Sequence, residues 1–221
     1  MSEVVSTRVS SYSRKLRERF VTALRGVSEY QVIKFELCDE SGTWHLGETV
    51  ETPKITGDTH TQIMAELESK VPGLIIGKKI SEAIRNIAES NLTGSTKAAV
   101  DIALNGALGN GSSNGFSIAT DVTIPITSIE NLSALVADRV AAGFTYFKVK
   151  ANKEPVSDLI AKLQLIEELT PSGSHIRIDA NQAWDLGHTA EVLASISESG
   201  LVIDYLEQPT PARDFTALAK V

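Results

Sequence analysis

The chain has 221 residues, 42% hydrophobic and 22% charged, with a formal net charge of −7 and a pI near 5.2, an ordinary globular composition with room for one large or two small domains. The acidic balance argues against a surface built for nucleic acid or an anionic membrane, and the basic residues of "YSRKLRER" are too few and too local to reverse it, so a small-molecule partner is expected. Cys38 is the only cysteine, which excludes an internal disulfide; with no signal-peptide core in "MSEVVSTRVSS" and no apolar run near the length of a membrane span, a cytoplasmic protein is expected.

In chain order, the first part reads as strands near 3–13, 29–38 and 43–50, with "DESG" at 39–42 as a hairpin turn, then helices near 59–70, 79–90 and 95–108. The third helix has Ser95 or Thr96 as its expected N-cap, ahead of an apolar face of Val100, Ala103, Leu104, Ala107 and Leu108. "GNGSSNGFS" at 109–117 is the best candidate for a boundary. The expected organisation is an α+β domain over 1–110, a linker over 111–119 and a second domain over 120–221.

After the linker the pattern alternates: "ATDVTIPI" strand, helix 129–142, "YFKVKA" strand, helix 156–169, "HIRIDA" strand, helix 188–199, "VIDYLEQP" strand and the start of a helix at 214. Strand–helix units of this length imply a parallel sheet, since parallel strands need a crossover between them. A dinucleotide-binding sheet would carry a glycine-rich turn after its first strand, and "VTIPITSIE" has none, which favours a barrel.

Within "FTYFKVKANKEP", Lys148 and Lys150 stand two residues apart in a strand, so they share a face while Phe147 and Val149 share the other. A core excludes two unpaired ammonium groups, leaving a solvated edge strand or a cleft in which carboxylates or a metal ion balance them. In parallel α/β folds chemistry gathers at the carboxyl ends of the strands. Those ends carry Thr123, then Lys148 and Lys150, then Asp179 and Asn181, then Glu207. Lys150 and Asp179 are 29 residues apart and Asp179 and Glu207 28, one βα repeat each, so the groups should stand side by side. Two such carboxylates suit a hard cation such as Mg²⁺, and the field there is expected to lower the pKa of at least one lysine and make it a usable base. Taken singly, Asp179 could cap a turn and Glu207 could pair with Lys150. Trp44 and Trp184 read as packing residues, His175 falls at the strand end away from the site, and His45, His60 and His188 lack metal-ligand spacing.

"KVK", "RIDANQAW" and "LEQP" at these spacings resemble the enolase superfamily, in particular its muconate-lactonizing subgroup, over nearly the whole chain. The resemblance implies an N-terminal α+β capping domain followed by the first half of a modified (β/α) TIM-type barrel, with Mg²⁺ held by carboxylates. By position, Asp179 and Glu207 would be the first two ligands and Asn181 would support them. Lys150 would be the acid/base on one face of the substrate, and Lys148 would contact its carboxylate. The implied chemistry is abstraction of a proton α to a carboxylate, giving an enediolate; enzymes of this superfamily pair such a base with bound Mg²⁺. "RFVTALR" at 19–25, "ITGDT" at 55–59 and "TDVTIPI" at 120–126 are similar to dipeptide epimerases. That likeness would give Arg25 the distal carboxylate of a glutamyl side chain, a task suited to a bidentate guanidinium, and place Thr123 near the substrate.

The same resemblance implies a small-molecule dipeptide partner, no nucleic acid or membrane, and a homo-oligomer for the full-length enzyme, with o-succinylbenzoate synthase or a cycloisomerase as the alternative reaction. In the family the third ligand, the second base and the aspartates for the dipeptide amino group lie beyond the position of Glu207. About 100 residues follow the linker here, against ~250 in a whole barrel domain. The expectation is therefore the N-terminal part of a larger enzyme, or else an incompetent fragment kept for binding or assembly. Ala183 stands where the family often has glycine, and the linker is short for the family.

Overall fold

The structure, a computed structural model, describes residues 2–23, 25–109 and 118–221. Contacts divide the chain into two units, Met1–Arg17 with Ser28–Phe116, and Glu18–Val27 with Ser117–Val221. Positions 111–117 of the expected linker lie outside the described residues.

A three-stranded sheet, most of it in the first unit, runs in the order β1 (Val4–Val21), β2 (Gly26–Asp39), β3 (Trp44–Val50). β1 runs well past the expected 3–13, and β2 starts three residues before and ends one after the expected 29–38. The added length of β1 is mostly polar, and periodicity detects a strand only through its buried face. β2 and β3 pair antiparallel from Val32↔Val50 to Cys38↔Trp44. Their turn is organised by Asp39, whose Oδ1 accepts the amides of Ser41 at 2.9 Å and Thr43 at 3.1 Å, while Gly42 supplies the left-handed φ of 82°.

Four helices follow: α1 (His60–Ser69), α2 (Val71–Ile75), α3 (Ile80–Glu89) and α4 (Gly94–Ala107). α2, with Pro72 in its first turn, is too short to show a period and was not expected. The N-cap of α4 is Thr93, not Ser95 or Thr96: its Oγ1 accepts the Thr96 amide at 3.3 Å. Ser95 and Thr96 already lie inside the helix and serve two buried carboxylates. Ser95 donates its amide (3.1 Å) and hydroxyl (2.7 Å) to Asp58, and Thr96 donates its hydroxyl to Glu66 at 2.8 Å. Anionic groups at a helix start complement its exposed amides and dipole, which gives the Asp of "ITGDT" a structural task.

Ile33, Phe35 and Leu37 of β2 pack with Ile63, Leu67, Val100 and Leu104 in the core of this unit. Of the expected α4 face, Val100, Ala103 and Leu104 are buried, Ala107 is partly so and Leu108 is exposed. Trp44 is also exposed, with the Arg8 guanidinium 4.1 Å from its ring centroid.

The second unit contains β4 (Val122–Ile124), α5 (Ile129–Ala141), β5 (Tyr146–Lys150), α6 (Val156–Leu169), β6 (His175–Asp179), α7 (Leu186–Ser199), β7 (Tyr205–Glu207) and α8 (Phe215–Leu218). The strands lie in the order β4-β5-β6-β7, every pair parallel, as the alternation predicts. This is a mixed α/β chain whose second unit is a partial barrel. Ile124, Phe147, Val149, Ile176 and Ile178 form one core with Leu132, Val136, Leu159, Leu163, Ile166 and Val192 from the helices. Because those strand residues alternate with Thr123, Lys148, Lys150, Arg177 and Asp179, burying them turns the polar set to the opposite face. Among the described residues no helix is long and apolar enough to cross a membrane.

Two predictions concern the first unit. A Cβ on Gly47 would stand 1.8 Å from the Ala99 carbonyl oxygen of α4, a backbone obstacle with no rotamer to escape it. Gly47→Ala should cost about 3 kcal/mol in urea unfolding; an unchanged midpoint would show that α4 does not lie so close. Arg8 grips both Glu36 oxygens at 2.7 Å, Lys34 approaches at 3.0 Å, and the Arg8 hydrogen bond chiefly pulls the Glu36 pKa down to about 2 against the effect of burial. This folded pKa lies below the unfolded value of roughly 4.3. The stabilisation is therefore complete well above that unfolded value and disappears as pH falls toward 2. Glu36→Gln should shrink the loss of urea stability over that window, and an acid limb as steep as the parent's would contradict it.

Candidate active site

The backbone ladder sets the site before any side chain does. Parallel register aligns Thr123 with Lys148, then Lys148 with Arg177 and Arg177 with Tyr205; two residues further on, Lys150 aligns with Asp179 and Asp179 with Glu207. The ladder continues past the strand ends. Ala151 donates its amide to the Asp179 carbonyl at 3.0 Å, Ala180 to that of Glu207 at 3.1 Å, Gln182 to that of Gln208 at 2.7 Å and Trp184 to that of Pro209 at 3.0 Å. Asn181, Gln182 and Gln208 have φ of 46°, 69° and 45°. Three non-glycine residues in the left-handed region, all just beyond β6 and β7, put backbone strain where the carboxylates are displayed.

Four of the expected residues come together. Lys150 Nζ donates to Asp179 Oδ2 at 2.5 Å, and Lys148 Nζ donates to Glu207 Oε2 at 2.7 Å. The alternative in which Glu207 pairs with Lys150 is not what forms, since Glu207 bonds to the lysine nearer the start of β5. The Asp179 side chain is 2% exposed and that of Glu207, on the outermost strand, 35%, so one carboxylate is buried and the other partly exposed. Thr123 neighbours Lys148 by register. Asn181 donates its amide to Asp179 Oδ1 at 2.9 Å, while its own buried Oδ1 has no hydrogen-bond partner among the described residues. Arg25 sits in the turn between β1 and β2, grouped with the second unit; its carbonyl accepts the Thr22 amide at 2.8 Å, and the Ile126 amide reaches the Val21 carbonyl at 3.3 Å.

Of the two lysines, Lys148 does not carry the expected lowering. Burial works against its charge, but the hydrogen bond to Glu207 and the charges of Glu207, Asp179 and Tyr205 outweigh it, so its pKa is raised. Two carboxylates answer it closely, and opposite charge favours the ionised form.

Asp179 and Glu207 offer hard oxygen donors on neighbouring strands, and Asn181 adds a buried carbonyl oxygen that lacks a partner among the described residues. This chemistry fits part of a Mg²⁺ shell. Among the described residues no group of three or more His, Cys, Asp or Glu could hold a metal ion.

A polar layer beneath the site was missed in the sequence. Arg177 bonds to Asp121 through Nη1 and to Asp204 through Nε at 3.2 Å, and its guanidinium carbon lies 5.2 Å from the Tyr146 ring centroid and 5.1 Å from that of Tyr205. Tyr146 stacks on His175 at 4.3 Å, and His175 Nδ1 lies 3.1 Å from both Asp204 oxygens. Burial disfavours the Arg177 charge, and Asp121 followed by Asp204 more than restores it. The Asp204 pKa is lowered, first by its His175 hydrogen bond. The signal was available: Arg177 stands two residues before Asp179, as Lys148 does before Lys150. Trp184, buried as expected, donates Nε1 to the Asn152 carbonyl at 2.8 Å.

Residues 131–221 match the family model described as Enolase C-terminal domain-like. The L-Ala-D/L-Glu epimerase of Bacillus subtilis is 28% identical over 99% of this chain and 63% of its own length. That of Clostridium acetobutylicum is 30% identical over 96% of this chain and 63% of its own length. The chain therefore spans about 63% of these curated relatives. Among solved structures, the substrate-liganded L-Ala-D/L-Glu epimerase of Bacillus subtilis superposes with a TM-score of 0.90 at 26% identity, covering 99% of this chain and 64% of that one. A dipeptide epimerase of Methylococcus capsulatus, complexed with Mg and L-Arg-D-Lys, shares the fold with a TM-score of 0.88 at 24% identity, covering 99% and 65%. Residues 131–221 thus match the enolase C-terminal domain-like model, and the chain has the fold of the Bacillus subtilis epimerase over the part of its length that it spans.

Proposed function

We propose that this chain carries one half of the machinery for epimerising a dipeptide of the L-Ala-D/L-Glu type, by removal of a proton α to a carboxylate. The observation that carries the reading is the register row Lys150–Asp179–Glu207, with a base candidate and two oxygen ligands at one level on three adjacent strand ends. The relatives named epimerases support the reaction class.

In this reading Asp179 and Glu207 would hold Mg²⁺, with Asn181 orienting Asp179 through its amide. A cation held there would supply positive charge beside the substrate carboxylate. Lys150, in its neutral form, takes that proton on Nζ and can return it on the same face. Lys148, whose raised pKa keeps it cationic, contacts the substrate carboxylate as a fixed positive charge, and Thr123, its register neighbour, adds a hydroxyl near the substrate. Arg25, presented from the turn between β1 and β2, receives the distal carboxylate of the glutamyl side chain through its planar fork. Lys150 serves one face of the α-carbon. Inversion requires a second base on the other.

The test is α-proton exchange in D₂O, followed by NMR on L-Ala-L-Glu with the 221-residue chain. Wash-out of the glutamyl α-proton that requires Mg²⁺ is expected. Lys150→Ala should slow it by about 100-fold or more while Mg²⁺ affinity stays within about threefold. No exchange in the parent chain would contradict the reading, and loss of Mg²⁺ binding in Lys150→Ala would make that lysine a structural one.

A further inference from the structure

Arg177 occupies the row immediately beneath the acidic row, aligned with Lys148 on one side and Tyr205 on the other. It projects from the same face as Asp179, roughly 7 Å along the strand, and β7 with Glu207 runs roughly 5 Å to its side. An arginine rooted there can reach either carboxylate. Its delocalised, weakly hydrated fork would bind Glu207 in two parallel hydrogen bonds, a stronger pairing than the single one Lys148 makes.

The guanidinium goes elsewhere. Asp121, just before β4, takes Nη1, and Asp204, just before β7, takes Nε at 3.2 Å. The rings of Tyr146 and Tyr205 flank the cation at 5.2 and 5.1 Å. Asp204 is itself braced by His175 Nδ1 at 3.1 Å, and His175 by its stack on Tyr146. Two acids and two aromatic faces converge on one arginine, although two other acids lie within its reach.

We propose that Asp121 and Asp204 form a clamp that holds Arg177 away from Asp179 and Glu207, so that the acidic row stays available to a divalent cation and to the two lysines. Asp121 and Asp204 are positioning residues acting through Arg177. The inference rests on the metal-site reading above. A purely structural cluster would tie the same strands together without controlling the row.

Three variants of the 221-residue chain separate these roles: Asp121→Asn with Asp204→Asn, the same pair with Arg177→Gln, and Asp204→Asn alone in case the pair folds poorly. Mn²⁺ affinity is read by EPR titration, and the Arg177 side chain is located by crystallography in each variant that retains it. The double variant should bind Mn²⁺ at least about tenfold more weakly, with Arg177 bonded to Glu207 or Asp179; the single variant should move the same way by less. Removing Arg177 from the double variant should restore affinity to within about threefold of the parent. A structural cluster would not be rescued in this way. Parent-like affinity in the double variant, or none regained in the triple, overturns the proposal. If the parent chain binds no Mn²⁺, the metal-site reading fails, and the position of Arg177 still decides the clamp: relocation to the acidic row upholds it, and retention between the two tyrosines overturns it.

Discussion

Parallel register is the constraint on which the rest of the second unit depends. Phe147, Val149, Ile176 and Ile178 must be buried against α5, α6 and α7, and strand alternation then leaves Lys148, Lys150, Arg177 and Asp179 on the other face. Because the register aligns Lys150 with Asp179 and Asp179 with Glu207, a one-residue slip would expose the apolar set and dissolve the acidic row together. The same hydrophobic burial that stabilises the unit therefore positions its chemistry, and substitutions in the core can disturb the site without touching it.

The polar face succeeds because its charges are layered. Each lysine of β5 meets one carboxylate, on β6 or β7, and the arginine beneath is met by two more from outside the strands. An unpaired ammonium or guanidinium in this partly buried face would be costly. The left-handed backbone at Asn181, Gln182 and Gln208 is strain that the interstrand hydrogen bonds beyond β6 and β7 hold in place.

Much of this architecture was legible in the sequence because burial writes itself into periodicity. The alternation of strands and helices after residue 120 matched the structure closely, and a single βα spacing brought Lys150, Asp179 and Glu207 to one level. Three features were hidden for identifiable reasons. The outer half of β1 lacks an apolar stripe, so no period marks it. The N-cap of α4 shifts to Thr93 because Ser95 and Thr96 are engaged by Asp58 and Glu66, contacts across 37 and 30 residues that no local pattern reveals. The bond from Lys148 to Glu207, and the resulting rise in the Lys148 pKa, depend on side-chain reach, which register alone does not decide.

If register builds a cation site at the ends of β6 and β7, substoichiometric Mn²⁺ should report it directly through paramagnetic broadening of backbone amide signals. Selective loss of the amides of Ala151, Ala180, Asn181 and Gln208 is expected, with those of α1 and α3 unaffected. Broadening centred on other acidic residues, or none at millimolar Mn²⁺, would contradict a site at those strand ends.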